Sequence, residues 1–339
     1  MTLTQLRYLV AIADAGLNIT LAAERVHATQ PGLSKLLRQL EDELGFQLFH
    51  RKGRSLHAIT HAGTHVLERA RVILAEAANI RSIAANLRNE SRGTLRIATT
   101  HTQARFALPS SVAALSRSYP QVSVHLQPVS DSDVISLLDG GHVDLAIVST
   151  AAGAPPPNGI ALPAYRWNRI VVVPHNHPLG RQNQAPTLEQ LAAYPLISYD
   201  SSLKPESSLT RAFHAASLHP QIAMTASDAD LIKTYVREGL GIGVLAEMAF
   251  QPEHDTDLHE LSADQLFSTC TTWIVLRRES VLREYTLDFI NVFAPHLERR
   301  AVSRALATGG AGTSHWPGVP HWRDRQVPHR VTEPLVEAQ

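Results

Sequence analysis

The apolar residues of this chain change their spacing once, sharply, at Ser91-Arg92-Gly93. Before that point they recur every three or four residues, the spacing that gathers one face of a helix. After it, short apolar runs alternate with helical stretches, the pattern of strands wrapped by helices. One core cannot serve both patterns, and 339 residues are more than a single core usually organises. The chain therefore reads as two architectures in series.

In the first 60 residues, Leu6, Leu9, Val10 and Ala13 lie on one helix that ends near Gly16. Ile19, Ala22, Ala23 and Val26 lie on a second, with Asn18 and Thr20 as candidate caps. A third opens at Thr29-Gln30-Pro31, where a missing N–H costs nothing, runs through Leu33, Leu37, Leu40 and Leu44, and stops at Gly45. Phe46, Leu48 and Phe49 then alternate, and Arg51-Lys52-Gly53-Arg54 forms a basic turn before Leu56-His57-Ala58-Ile59. Three short helices and a basic hairpin make a winged helix-turn-helix. From Thr60 to about Asn89 a single long helix carries Val66, Ala70, Ile73, Ala77, Ile80, Ala84 and Leu87 at alternating steps of four and three, a heptad seam. The alternative is a helix packed on its own domain, but the small domain beside it has little surface to cover so long a stripe.

Beyond residue 93, strands are expected at Leu95–Ala98, Val122–Leu126, Leu145–Ser149, Ile170–Val173, Leu196–Tyr199, Ile222–Thr225 and Gly243–Leu245. Helices fall between them, one from Gln103 and one near Asp133–Leu138. The alternation predicts mostly parallel sheets in two sets, separated by the proline-bearing loop Ala151–Gly159 and joined by crossing strands. The expected layout has four parts. Residues 1–60 form the winged domain, 61–92 a linker (dimerisation) helix and 93–300 a bilobed effector domain. Its lobe I spans about 93–163 and 268–300, and its lobe II about 164–267. From Gly309 onward the composition turns to Gly, Pro, His and Trp without period, and residues 301–339 read as mostly disordered.

Composition removes several function classes. Lys plus Arg and Asp plus Glu are both 31, so the whole chain is neither polybasic nor acidic, although residues 1–92 hold 12 basic against 8 acidic residues. One cysteine, Cys270, excludes a disulfide scaffold or a Cys-rich zinc module. No apolar stretch is long enough for a membrane span and no export signal opens the chain, so a cytoplasmic protein without a membrane partner is expected. Of the 18 histidines, His61 with His65 and His175 with His177 lack the companions of a metal site. Gly239, Gly241 and Gly243 are not a dinucleotide fingerprint, but suit a tight approach to a buried strand. No nucleophile elbow occurs, and Cys270 sits in a strand-like run ending at Leu276, so no enzyme is expected.

Several runs now bear comparison with a known family. Leu6-Arg7-Tyr8, Ala22-Ala23-Glu24-Arg25-Val26, Thr29 through Lys35, Gln39 through Gly45, Leu48-Phe49-His50-Arg51 and Thr60-His61-Ala62-Gly63 resemble the signature of LysR-type transcriptional regulators. Thr99 through Arg105, Tyr165 through Arg169 and Asp228 through Arg237 look like its CysB/Cbl branch, which controls cysteine biosynthesis and sulfur assimilation; the similarity covers about residues 1–298. It implies an N-terminal all-α winged helix-turn-helix with a long linker helix, then an α/β bilobed effector domain like the periplasmic binding proteins. It also implies double-stranded promoter DNA and RNA polymerase as partners, self-association as a dimer of dimers, and no cofactor. The implied effector is N-acetylserine or O-acetylserine, with sulfate or thiosulfate as further candidates. A LysR-type regulator of another pathway, answering to a different small carboxylate or oxyanion, and a plain solute-binding protein are the alternatives.

On the third helix Leu33, Leu37, Leu40 and Leu44 face inward, which leaves Gln30, Ser34, Lys35 and Arg38 outward for the major groove. Gln30 suits an adenine, Lys35 and Arg38 suit phosphate or guanine, and Thr29 and Pro31 open the helix where free N–H groups meet a phosphate. Arg51, Lys52 and Arg54 on the wing are expected to reach the flanking backbone. In the second half, Thr100, Thr102 and Gln103 follow a strand end and offer hydroxyls, an amide and free N–H groups to a small anion, with no need of lysine or arginine. Ser149, Ser201 and Ser202 end other strands facing the same crevice. The family resemblance assigns the effector to Thr100, Thr102, Gln103 and Ser149. Ser149 stands where the branch usually has threonine, and Asp200 through Pro205 replaces a segment richer in Thr and Gly. Tyr165 and Trp167 read as core aromatics.

Overall fold

A computed structural model of the chain describes residues 1–53, 55–157, 159–182, 184–310, 316 and 318–325. It falls into two compact units, residues 1–89 and residues from 90 onward.

In the first unit, local chemistry sets the helix boundaries. α1 (Leu3–Asp14) starts in a capping box of Thr2 with Gln5, and α2 (Ile19–Arg25) starts under the Asn18 carboxamide. α3 (Gln30–Leu44) is capped by Thr29 and ends at the left-handed Gly45. β1 (Phe49–Lys52) and β2 (Ser55–Ile59) form the antiparallel wing, and α4 (His61–Leu87) begins at Thr60, whose hydroxyl also donates to the Gln47 carbonyl at 2.9 Å. Leu6, Leu9, Ile12, Leu33, Leu37, Leu40, Leu48 and Phe49 make the buried core, and Leu67 and Ala70 of α4 complete it. Gly63 permits that docking, since a Cβ there would lie 2.1 Å from the Leu48 carbonyl oxygen.

The second unit has two lobes, each with a five-stranded sheet. Lobe I contains β3 (Gly93–Thr99), a π-helical turn (Gln103–Ala107), α5 (Pro109–Ser118), β4 (Val122–Pro128), α6 (Asp131–Asp139), β5 (Leu145–Ala151) and β6 (Ile160–Trp167). The chain crosses at Asn168 into lobe II, with β7 (Arg169–Pro174), α7 (Leu188–Ala192), β8 (Leu196–Tyr199), α8 (Ser208–Ala215), β9 (Ile222–Ala226), α9 (Ala229–Arg237), β10 (Ile242–Ala246) and β11 (Leu258–Ser262). It then returns to lobe I as β12 (Cys270–Leu276), α10 (Glu284–Phe293) and α11 (Arg299–Ala307). The strand orders are β4-β3-β5-β12-β6 and β11-β7-β10-β8-β9.

The bilobed architecture agrees with the expectation from sequence, but the sheets are not mostly parallel. Each has two parallel and two antiparallel pairings, because β6, β12, β7 and β11, the strands linked through the crossovers, run against the strands they join. Gly243 in β10 is held to glycine by packing: a Cβ would meet Val172 at 2.6 Å and Val236 at 2.9 Å. The expectation of disorder from residue 301 also needs correcting. Helix α11 extends to Ala307 with Val302 and Ala305 buried, and residues 318–325 lie against the second unit through named contacts described below. Residues 311–315, 317 and 326–339 of that stretch lie outside the described residues.

Candidate functional site

In the first unit the outward face of α3 is the one expected. Thr29, Gln30, Pro31, Lys35 and Arg38 are exposed and Ser34 is half-buried. The Thr29 hydroxyl accepts from the Gly32 N–H, and the Gln30 amide nitrogen donates to the Ser34 hydroxyl at 3.2 Å, which steadies the Gln30 side chain with its carbonyl free. Among the described residues neither Lys35 nor Arg38 has a carboxylate partner, so both cations are available. The wing differs from its sequence reading. Arg51 donates to the Glu41 carboxylate at 2.7 Å, and that buried carboxylate also accepts from the Leu48 and Phe49 N–H groups at 2.9 and 3.4 Å. Arg51 thus knits α3 to the wing, with its side chain half-buried. Lys52 stays exposed, and Arg54 lies outside the described residues.

In the second unit a cavity of about 580 Å³ opens between the lobes, within the range of small-molecule sites. Thr100, Thr102, Gln103, Ser149 and Ser201 all line it. Thr102 and Gln103 are buried where β3 gives way to the π-helical turn, a local irregularity common at functional sites. The Trp167 indole N–H points at the Ser149 and Thr272 hydroxyls, at 3.3 and 3.1 Å, and the Gln103 amide nitrogen reaches both at 3.4 Å. Tyr165 donates to the other end of that amide, Oε1. Burial pushes the Tyr165 phenol up to about 12, so it remains a donor and keeps the Gln103 nitrogen turned toward the hydroxyls.

Ser202 does not line the cavity. It is fully buried one layer behind, where its hydroxyl accepts from Arg169 at 3.0 Å and lies 2.9 Å from that of Ser198. Arg169 itself was missed in sequence. Its Nε donates to Ser208 at 2.7 Å, it lines the cavity at only 5% exposure, and among the described residues no carboxylate pairs with it. The sequence reading expected a site with no need of lysine or arginine, whereas the cavity wall contains this buried guanidinium. It closes the run Tyr165 through Arg169 that carries part of the family resemblance, the signal that could have pointed to it.

Polar side chains face each other across the cleft. Tyr199, which accepts from the Ala246 N–H at 3.2 Å, meets Thr102, and Asp131 at the start of α6 meets Ser201. Burial raises the Asp131 carboxyl above the usual range, while Ser201, Lys204 and Arg169 pull it back. Cys270 lines the same cavity with its thiol pushed up by burial, hence a thiol and not a thiolate. Trp167, read as a core aromatic, presents its N–H edge to the site. Lys204, Arg211, Asp200 and Glu206 also line it, two cations and two carboxylates. Among the described residues no group of three metal-ligating side chains gathers, and no helix is long and apolar enough to cross a membrane.

Comparison with known proteins matches both units. Residues 3–64 fit the bacterial regulatory helix-turn-helix protein model of the lysR family, and residues 88–298 fit the LysR substrate binding domain model. The HTH-type transcriptional regulator CysB of Haemophilus influenzae is 43% identical over 305 residues, 90% of this chain and 94% of that one. The regulator SsuR of Burkholderia cenocepacia is 39% identical over 307 residues, 90% of this chain and 99% of that one. Among solved structures, the cofactor-binding domain of the Cbl transcriptional regulator superposes with a TM-score of 0.59 at 34% identity, covering 64% of this chain and 94% of that domain.

Proposed function

Because this chain belongs to the LysR family of DNA-binding transcriptional regulators, we propose that it controls genes of sulfur assimilation and cysteine biosynthesis in response to a small anionic metabolite. CysB, SsuR and Cbl are the named relatives that support this pathway. The observation that carries the effector reading is Arg169, a buried cation with no carboxylate of its own, facing a cavity of about 580 Å³. A single tetrahedral oxyanion fills little of such a space. An acetylated serine places its carboxylate near Arg169 and its acetyl and hydroxyl groups among Thr100, Thr102, Gln103, Ser149 and Ser201. N-acetylserine and O-acetylserine are the proposed effectors, with sulfate and thiosulfate as smaller occupants of the Arg169 end.

At the other unit, α3 enters the major groove of promoter DNA. Gln30 reads a base edge, while Lys35, Arg38 and Lys52 meet backbone and make affinity fall with salt. The exposed seam of α4 pairs copies of the chain, a dimer of dimers being the proposed assembly. RNA polymerase is the proposed further partner at the promoter, and the cytoplasm the compartment.

The test is calorimetric titration of the full chain with N-acetylserine, O-acetylserine, sulfate, thiosulfate and benzoate. Saturable binding of an acetylserine or a sulfur oxyanion is expected, weakened at least about tenfold by Arg169→Met. Binding of benzoate alone would move the protein to another pathway of the same family.

A further inference from the structure

The family resemblance ends at residue 298, yet the structure continues into a segment that lies across the crossover between lobes. On the lobe I side, the Arg166 N–H donates to the Pro320 carbonyl at 2.8 Å, and Trp322 packs on Tyr165 with ring centroids 5.3 Å apart. The Arg325 guanidinium lies 4.3 Å from the Tyr165 ring centroid and 4.8 Å from that of Phe293, and it donates to the Phe293 carbonyl at 2.7 Å. On the lobe II side, Arg323 joins Glu247 at 2.7 Å and Glu260 at 2.8 Å, and His321 lies 3.4 Å from Glu247.

Two of these contacts lead directly to the cavity. Tyr165, beneath Arg325, donates to Gln103, whose amide lines the site. Glu247, held by Arg323, accepts from the Asn168 N–H at 2.9 Å, and its own N–H donates to the Asn168 carbonyl at 3.1 Å. Asn168 is the crossover residue between Trp167 and Arg169, both of which line the cavity. The Glu247 side chain is 2% exposed, and among the described residues its cationic partner is Arg323, with His321 of the same segment beside it. Without them a buried carboxylate at the crossover has no counter-charge, a costly arrangement. The crossover is therefore built to carry the segment.

We infer that residues 319–325 form a strap joining the two lobes, with Arg323 and Arg325 as positioning residues for the effector cavity. Arg325 seats Tyr165, which orients the Gln103 amide. Arg323 fixes Glu247, and through it the crossover that sets Trp167 and Arg169. This inference deepens the effector reading above and rests on it: the strap tunes affinity for the same small anion without touching it.

Full-length Arg323→Gln, Arg325→Met and Arg325→Lys, and a chain ending at Gly310, test the strap by two readouts. The first is hydrogen exchange in the ligand-free protein: Arg323→Gln, Arg325→Met and the shortened chain are expected to speed exchange at the Arg166 and Asn168 amides at least about tenfold. The second is calorimetric affinity for N-acetylserine and for sulfate: the same chains are expected to weaken whichever probe binds by about tenfold. Arg325→Lys, which keeps a cation over the rings, should recover most of the affinity, an outcome that a purely space-filling role would not give. Affinity for promoter DNA without effector should stay within about twofold of the parent. Wild-type exchange and wild-type affinity in the shortened chain would overturn the strap. A parent protein that binds neither probe would instead overturn the effector reading, and the exchange readout alone would then decide the strap.

Discussion

Arg169 and Asp131 face one cavity with opposite charge, and the balance between them decides what the cavity holds. A buried guanidinium without a carboxylate costs several kcal/mol. The hydroxyls of Ser202 and Ser208 offset part of this, at about 1.5–3 kcal/mol for each hydrogen bond to a charged group. On the reading proposed above an anion completes the compensation, and an ionised Asp131 opposes it. The sign of the pH dependence follows. Burial holds the Asp131 carboxyl above its ordinary value, although Ser201, Lys204 and Arg169 act against that shift. As pH falls through the raised value, Asp131 takes up a proton, the cavity becomes one charge more positive, and sulfate, which stays ionised, binds more tightly. As pH rises, the carboxylate ionises and affinity drops. Across that titration the gain in sulfate affinity should approach about tenfold. Asp131→Asn should bind sulfate tightly throughout, with the slope gone. Equal slopes in the two proteins, read by calorimetry in matched buffers, would remove Asp131 from the balance.

Helix α4 answers two packing demands at once. Leu67 and Ala70 belong to the core of their own unit, which is the alternative that the heptad pattern left open for the start of the helix. Further along, seam positions seven residues apart stay uncovered: Ile73 is 39% exposed, Ile80 67% and Leu87 80%. An isoleucine stripe of this kind is stable in water only against a partner, and a second copy of α4 supplies the same stripe. Ile80→Glu should therefore raise the dimer dissociation constant at least about a hundredfold, since two isoleucines contribute about 1.5 kcal/mol each or more. Sedimentation equilibrium checks this, with unchanged far-ultraviolet circular dichroism as the control for folding. An unaltered dimer would place the interface elsewhere. The same scale shows what sequence could disclose. The starts of α2, α3 and α4 were legible because Asn18, Thr29 and Thr60 cap them by contacts within a few residues. β11 was not seen in sequence, and neither was the docking of residues 318–325, because each depends on surfaces far away in the chain. Thr102, Gln103 and Ser149 were legible as polar residues at strand ends. Arg169, Asp131 and Thr272 were not, since only the crossing of strands between lobes decides that an isolated polar residue is buried beside a cavity.

At the scale of the whole molecule, the question is whether a metabolite in one unit alters DNA held by the other. A ligand shifts an equilibrium only by as much as its affinities for two states differ. The cavity has the means for such a difference, because Tyr199 faces Thr102 and Asp131 faces Ser201 from opposite lobes, so an occupant that draws these pairs together or apart favours one arrangement. The covalent route to α3 runs through residues 88–92 and α4. Thermodynamic reciprocity makes this testable without locating the moving parts. If N-acetylserine changes promoter affinity by some factor, promoter DNA must change N-acetylserine affinity by the same factor, expected in the range of about 5–150-fold. Fluorescence anisotropy of a labelled promoter fragment gives one side, and calorimetry with and without that fragment gives the other. The effector should also change the nuclease footprint. If both affinities and the footprint stay unchanged at saturating N-acetylserine, the cavity and the recognition helix are not coupled by that ligand. If the footprint alone changes, the effector redistributes contacts along the promoter at constant free energy, and the coupling lies in how two dimers share the DNA.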